Sequence, residues 1–189
     1  MERFGRHAGR LVGAIPEQLA MAHVRAQATH ATADLKKRGP YGHTLSEAVR
    51  ELLADLAREL GEAVREVRGF EYAVINDHAL FPFKYADRPR PLQRARLASD
   101  ASPTRRRLLL GHGPGEQEGL FPLDADYTTP RYEELHEAFE ALGSSTRLVS
   151  VFFTASAESG IHAIHWGDAR LEPDRTFTWL HSEQLQVAP

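Results

Sequence analysis

With 189 residues, 42% of them hydrophobic and 26% charged, the chain has the make-up of one globular domain able to bury a core. The absence of cysteine excludes a disulfide framework, a thiolate zinc site and a cysteine nucleophile, and no apolar run approaches the ~18–20 residues of a membrane-spanning helix. A net charge of −3 gives no general attraction to nucleic acid or anionic membrane; the basic N-terminus has no apolar signal core, so a cytoplasmic location is expected.

In chain order, the N-terminal third reads as helical. Pro16 is placed at the first position of a helix running through EQLAMAHVRAQATHATADLKKR, which Gly39-Pro40 would end. A second helix is expected to open on a capping box made by Thr44 and Glu47. Its stripe is Leu45, Val49, Leu52, Leu53, Leu56 and Leu60, and Gly61 is its stop.

The period then changes from helical to alternating. Phe70, Tyr72 and Val74 predict a strand, Asn76-Asp77 a turn, and Leu80 to Tyr85 a second strand of a hairpin. Pro82 lacks a ladder donor and demotes that second strand to an edge or a bulge. Residues 87–127 dissolve into proline, glycine and charge, with RRRLLLG as a short strand and GHGPGEQEG as an exposed loop. A third helix is expected from the Thr129 cap through Pro130, Tyr132, Leu135, Phe139 and Leu142, ending at Gly143. Three strands follow, LVSVFFTA, GIHAIHWG and RTFTWLH, joined through SAES and LEPD. The expected architecture is a single α+β domain: two N-terminal helices and a mainly antiparallel sheet of about five to six strands in two hairpin-like groups, with a third helix between them.

His162 and His165 stand three apart, a spacing that would let both clasp one ion on a helix. In a strand the side-chain period is two, so His162 shares a face with Ile164 and Trp166 while His165 points the other way. Flanking glycines and two isoleucines favour the strand, which removes the two-histidine site. A cross-strand set of His165, Asp168 and His181 remains a weak candidate for a divalent metal. His23 and His30, seven apart on a helix, lie roughly 10 Å apart along its axis, too far for one ion. His136 falls on a core-facing helical position, and His43 is expected just outside the Thr44 cap.

Glu71, Asp77 and Lys84 are the candidate catalytic residues of a metal-dependent nuclease or hydrolase, in which carboxylates hold the cation and a lysine orients water. The position two before Lys84 is Pro82, where that chemistry wants an acid. GHGPGEQEG lacks the Lys-Ser/Thr of a phosphate loop, and neither GxSxG nor HExxH occurs.

The strongest anomaly is KYADRPRPLQRARLASDASPTRRR, residues 84–107. Lys84, Arg88, Arg90, Arg94, Arg96, Arg105, Arg106 and Arg107 face only Asp87 and Asp100, a local net of +6 in a chain of −3. The planar fork of arginine suits phosphate. The alternative is internal neutralisation against acidic helix faces. The leading expectation is therefore a non-enzymatic binding or regulatory domain whose arginines contact an anionic partner, nucleic acid or an acidic protein surface, with no cofactor and no membrane. The rivals are the metal-dependent enzyme drawn from Glu71, Asp77, Lys84, His162, His165, Asp168 and His181, and a subunit whose Phe81, Phe83 and Tyr85 edge a partner covers.

Overall fold

The computed structural model describes residues 2–33, 39–99, 101, 103–111, 113, 142–143 and 145–187. A 3-10 turn, Glu2–His7, leads into α1 (Ala8–Ala33) and α2 (Gly39–Glu59). Three strands follow, β1 (Ala63–Val67), β2 (Phe70–Ile75) and β3 (His78–Ala86). A connector with a 3-10 turn, Leu92–Arg94, and α3 (Pro103–Gly111) precedes β4 (Arg147–Ser156), β5 (Gly160–Leu171) and β6 (Phe177–Leu185). The strands form one sheet in the order β1-β2-β3-β4-β5-β6. Every neighbouring pair is antiparallel except β3–β4, which runs parallel. The α+β class and the two meandering strand groups are as the sequence indicates. The parallel join between the groups is a new feature.

Both faces of this sheet are covered, which is why β4 is buried at nine successive positions from Leu148. On the first face Val149, Val151, Phe153 and Ala155 of β4, with Ile164 and Trp166 of β5, pack under α1 and α2. α1 supplies Leu11, Ile15, Leu19, Ala22 and Ala26 at three- and four-residue steps, and α2 supplies Leu45, Val49, Leu52, Leu53 and Leu56. On the second face Phe81, Phe83 and Tyr85 of β3, Phe152 of β4 and Phe177 of β6 pack under Leu92, Ala95 and Leu97 of the connector and Leu108 and Leu109 of α3. Phe81, Phe83 and Tyr85 are thus core residues rather than an uncovered edge.

Several boundaries move for identifiable reasons. α1 starts two turns before Pro16, which is buried inside it. The apolar stripe already begins at Ala8, and burial along it outweighs one lost helix hydrogen bond. Gly39-Pro40 opens α2 instead of closing α1, because a proline in the first turn surrenders an N–H that has no helical partner anyway. Thr44 and Glu47 are therefore inside α2 and make no capping box there, and His43 is a helical residue rather than one outside a cap. Gly61, at φ +71°, ends the helix as its sequence position implies.

β1 escapes the sequence pattern because its residues, AVREV, are mostly exposed at the sheet edge. Its turn to β2, Arg68-Gly69, takes the left-handed conformation at φ 52° and 79°. Asn76-Asp77 does the same at 48° and 59°, so the β2–β3 hairpin turn is where the sequence puts it. RRRLLLG is helical, not a strand: it lies in α3, with Leu108 and Leu109 buried against the sheet. Pro82 sits in a strand that is interior by order, opposite Val151 of β4. The β2–β3 ladder covers only Val74↔Ala79 and Ile75↔His78, so from Leu80 on one side of β3 has no ladder partner among the described residues and a missing N–H is tolerated there.

The expected third helix falls outside the described residues except at its end. Leu142 is helical and buried, and Gly143 follows at φ +90°. His136 and most of GHGPGEQEG also lie outside the described residues.

Candidate anion-binding surface

The layer over the second sheet face is the arginine-rich segment. It leaves β3 at Ala86 and makes the 3-10 turn Leu92–Arg94. It then touches β6 through a bridge between Arg96 and Thr176, and Leu97 N donates to the Arg175 carbonyl at 2.9 Å. The Tyr85 hydroxyl donates to the Arg90 carbonyl at 2.8 Å, pinning the first part of the run. Leu92, Ala95, Leu97, Leu108 and Leu109 face inward, which turns the residues between them to water. Arg88, Arg90, Arg94, Arg96 and Arg106 are all exposed.

None of these five guanidinium groups forms an ion pair among the described residues. Elsewhere several arginines are paired, Arg3 with Asp168, Arg10 with Glu59, Arg25 with Glu51, Arg50 with Glu47, Arg58 with Asp55 and Glu71, Arg170 with Glu172, while the exposed Arg6, Arg65, Arg147 and Arg175 have no carboxylate partner among the described residues. The acids of α2 are thus engaged by arginines of α1 and α2, and they do not neutralise the connector. Arg96 and Asp174 feel each other's charge, though the Asp174 carboxylate is held low first by its hydrogen bonds from Thr176.

Arg105 departs from the expected set. It is half-buried, with its guanidinium 6.0 Å from the Phe83 ring centroid, and burial lowers its pKa, helped by the charge of Arg50. It is part of the packing between α3 and the sheet. The side chain of Arg107 lies outside the described residues.

The metal and catalytic candidates do not converge. Asp77 is in the turn at the start of β3 and Lys84 is near its end, seven residues apart, which spans about 23 Å of strand. Glu71 is tied to Arg58 of α2. The Lys84 ammonium pairs with Asp87 at 2.5 Å and lies 5.3 Å from the Tyr41 ring centroid.

On β5, His165 lies opposite Phe152 on the second face, and burial lowers its pKa. Asp168 lies on the first face. There Arg3 pairs with it while Phe4 stacks on Trp166 at 5.2 Å. The sheet itself separates His165 from Asp168. His181 is the cross-strand partner of Asp168, brought level by a bulge that leaves Leu180 extra. His162 is the extra residue of another bulge, between Ile161 opposite Ala155 and Ala163 opposite Thr154. That bulge puts Ile161 against the first-face core together with Ile164, although strict alternation would separate them. Among the described residues no group of three or more His, Asp or Glu side chains is placed to hold a metal ion.

One polar network had no local sequence signal, because its members are remote in the chain. The Tyr41 hydroxyl donates to the Ser156 carbonyl at 3.1 Å, so the contact at 3.0 Å from His23 Nδ1 requires the Nδ1–H tautomer of His23. Burial, then the charges of Asp87 and Glu158, push the Tyr41 phenol up to about 12. Burial lowers the pKa of His23.

No protein-family model matches this chain, and no curated protein or solved structure matches it significantly.

Proposed function

We propose that the chain is a binding or regulatory domain whose connector layer contacts an anionic partner, nucleic acid being the reading that arginine chemistry favours. The observation that carries this is the set of five exposed arginines gathered on one connector layer, with no carboxylate partner among the described residues. Desolvating a guanidinium that already has a carboxylate would cost the existing pair; an unpaired one offers its full fork to phosphate. The rigid underside, built on Leu92, Leu97, Leu108 and Leu109, holds the charges on a fixed scaffold and so limits the ordering cost of binding.

The test is titration with single- and double-stranded DNA and RNA over a range of salt, using the wild type and a variant carrying Arg88, Arg90, Arg94, Arg96 and Arg106 all as alanine. If all five meet phosphates on duplex DNA, log affinity should fall against log salt with a slope near ~−4.5, and each arginine removed should reduce that slope by about one. Binding that ignores salt, or that survives the fivefold change, overturns the reading. Binding to an acidic peptide and to none of the nucleic acids transfers the surface to a protein partner.

A further inference from the structure

The sheet ends in two edges of opposite character. β1 is five residues long and carries Arg65 and Glu66 near its middle, a short charged edge that resists pairing with another chain. β6 is nine residues long, FTWLHSEQL, with no proline, lysine or glycine among them. It lies outermost in the sheet order, beside β5. The connector meets its outer side at Thr176, and from Thr178 to Leu185 that side has no ladder partner among the described residues. Leu180, His181 and Ser182 are exposed in succession, where a strand with one covered face would alternate. Leu180 and Val187, two of the exposed large hydrophobic residues, lie on this edge or just past it. A bulge leaves Leu180 extra, but from His181 to Leu185 the register with β5 is regular.

A long edge of this kind is a template for another extended strand, and the charges along it select which one. His181 and Glu183 share a face, bordering a small cavity with Arg3, Phe4 and Trp166. Trp166 Nε1 donates to Glu183 Oε2 at 3.2 Å, and a carboxylate has the capacity to accept further donors. Two copies related by a two-fold axis perpendicular to the sheet pair antiparallel, with like faces on the same side. An axis through His181 sets two imidazoles opposite each other, and one through Glu183 sets two carboxylates opposite each other. An axis through Ser182 sets the His181 of each copy opposite the Glu183 of the other, and an imidazole N–H donates to a carboxylate whether or not the ring is charged.

We infer that β6 is the interface of a symmetric homodimer, pairing antiparallel with β6 of a second copy about Ser182 to make one continuous sheet. Leu180 then lies beside Gln184 of the second copy and is withdrawn from water. The two His181–Glu183 pairs fix the register, and both arginine layers fall on one face of the joined sheet. This interface is separate from the anion-binding reading and stands without it.

The test needs no nucleic acid. Light scattering on the full chain across a dilution series should give twice the 21.1 kDa of one chain, falling toward one on dilution. The chain has no cysteine, so Ser182→Cys supplies a single thiol at the two-fold axis and should oxidise to a covalent dimer. Thr178→Cys, set roughly 27 Å from its counterpart by this register, should not. His181→Glu and Glu183→Lys should each weaken the dimer about tenfold or more, since each puts like charges at both pairs. An equimolar mixture of those two variants restores opposite charges and should dimerise again, which a misfolded variant could not do. A monomer at about 100 µM overturns the interface. So does a dimer in which Ser182→Cys fails to cross-link, Thr178→Cys cross-links as fully, or the mixed variants stay apart.

Discussion

Among the described glycines, Gly167 leaves the least room for an added methyl. Its φ is +152°, and a Cβ there would lie 2.1 Å from the His181 carbonyl oxygen on β6, backbone against backbone. Neither strand can retreat without breaking the Asp168↔His181 pairing. Gly167→Ala is expected to cost about 2–4 kcal/mol of unfolding free energy in urea titration, through overpacking and backbone strain combined. Tyr41 tests the buried network differently. Its folded pKa, about 12, exceeds the ordinary 10.0, so its contribution to stability is complete below pH 10 and is lost as pH rises toward 12. Tyr41→Phe should flatten part of the alkaline fall in melting temperature, with Tyr72 and Tyr85, also raised by burial, supplying the remainder. At neutral pH the same change should cost about 1–3 kcal/mol, since it strands the Ser156 carbonyl and His23 Nδ1–H. The sequence gives no hint of this contact, because hydrogen bonds between His23, Tyr41 and Ser156 depend on which helix crosses which strand end. Opposite directions for neighbouring imidazoles, by contrast, follow from strand period alone. That argument holds for His165 and bends at His162 only because one bulged residue interrupts the alternation.

Elements were readable where a period repeated over several turns and unreadable where tertiary burial decided the matter. The leucine stripe of α2 is legible because six apolar residues recur at helical spacing. The start of α1 is not, because Pro16 reads as a boundary until the buried stripe on both sides of it is seen. β1 has too few apolar residues to announce itself, and the leucines of α3 fit either a short strand or a short helix. Turns are the most reliable local signal, and Asn76-Asp77 permits a direct test. Asp77 sits at φ 59°, a conformation that glycine adopts without a Cβ penalty, and only its backbone carbonyl is used, accepting from Arg147 N at 3.0 Å. Asp77→Gly should therefore leave the fold intact and stabilise it by about 0.5–1 kcal/mol in thermal or chemical melts. A carboxylate with a metal-binding role would instead make this change costly to function. A fall in stability would contradict the turn assignment.

At the scale of the molecule, charge is segregated by layer. The acidic side chains of α2, and Glu172 of the β5–β6 turn, are engaged by arginines nearby, while five arginines with no carboxylate partner among the described residues lie together over the second face of the sheet. The segment was legible in the sequence as a run of +6. Its division into five outward arginines and one inward was not, since that depends on which leucines the sheet takes. Salt should thus act on partner binding far more than on folding, because the stabilising pairs are short-range and the five exposed arginines hold no carboxylate among the described residues.

The lone parallel contact gives this arrangement a mechanical meaning. β1–β3 and β4–β6 are each contiguous meanders, able to form from neighbours in the chain, and they touch only along β3 and β4. That seam closes a long loop, so its pairing comes at the highest entropic cost of any in the sheet. The arginine layer is also the crossover strap: it departs from the end of β3 and is stitched to the start of β6. Whatever grips that strap from outside clamps the two halves together, so occupancy should be felt as slower opening along β3 and β4, well away from the charges that do the gripping.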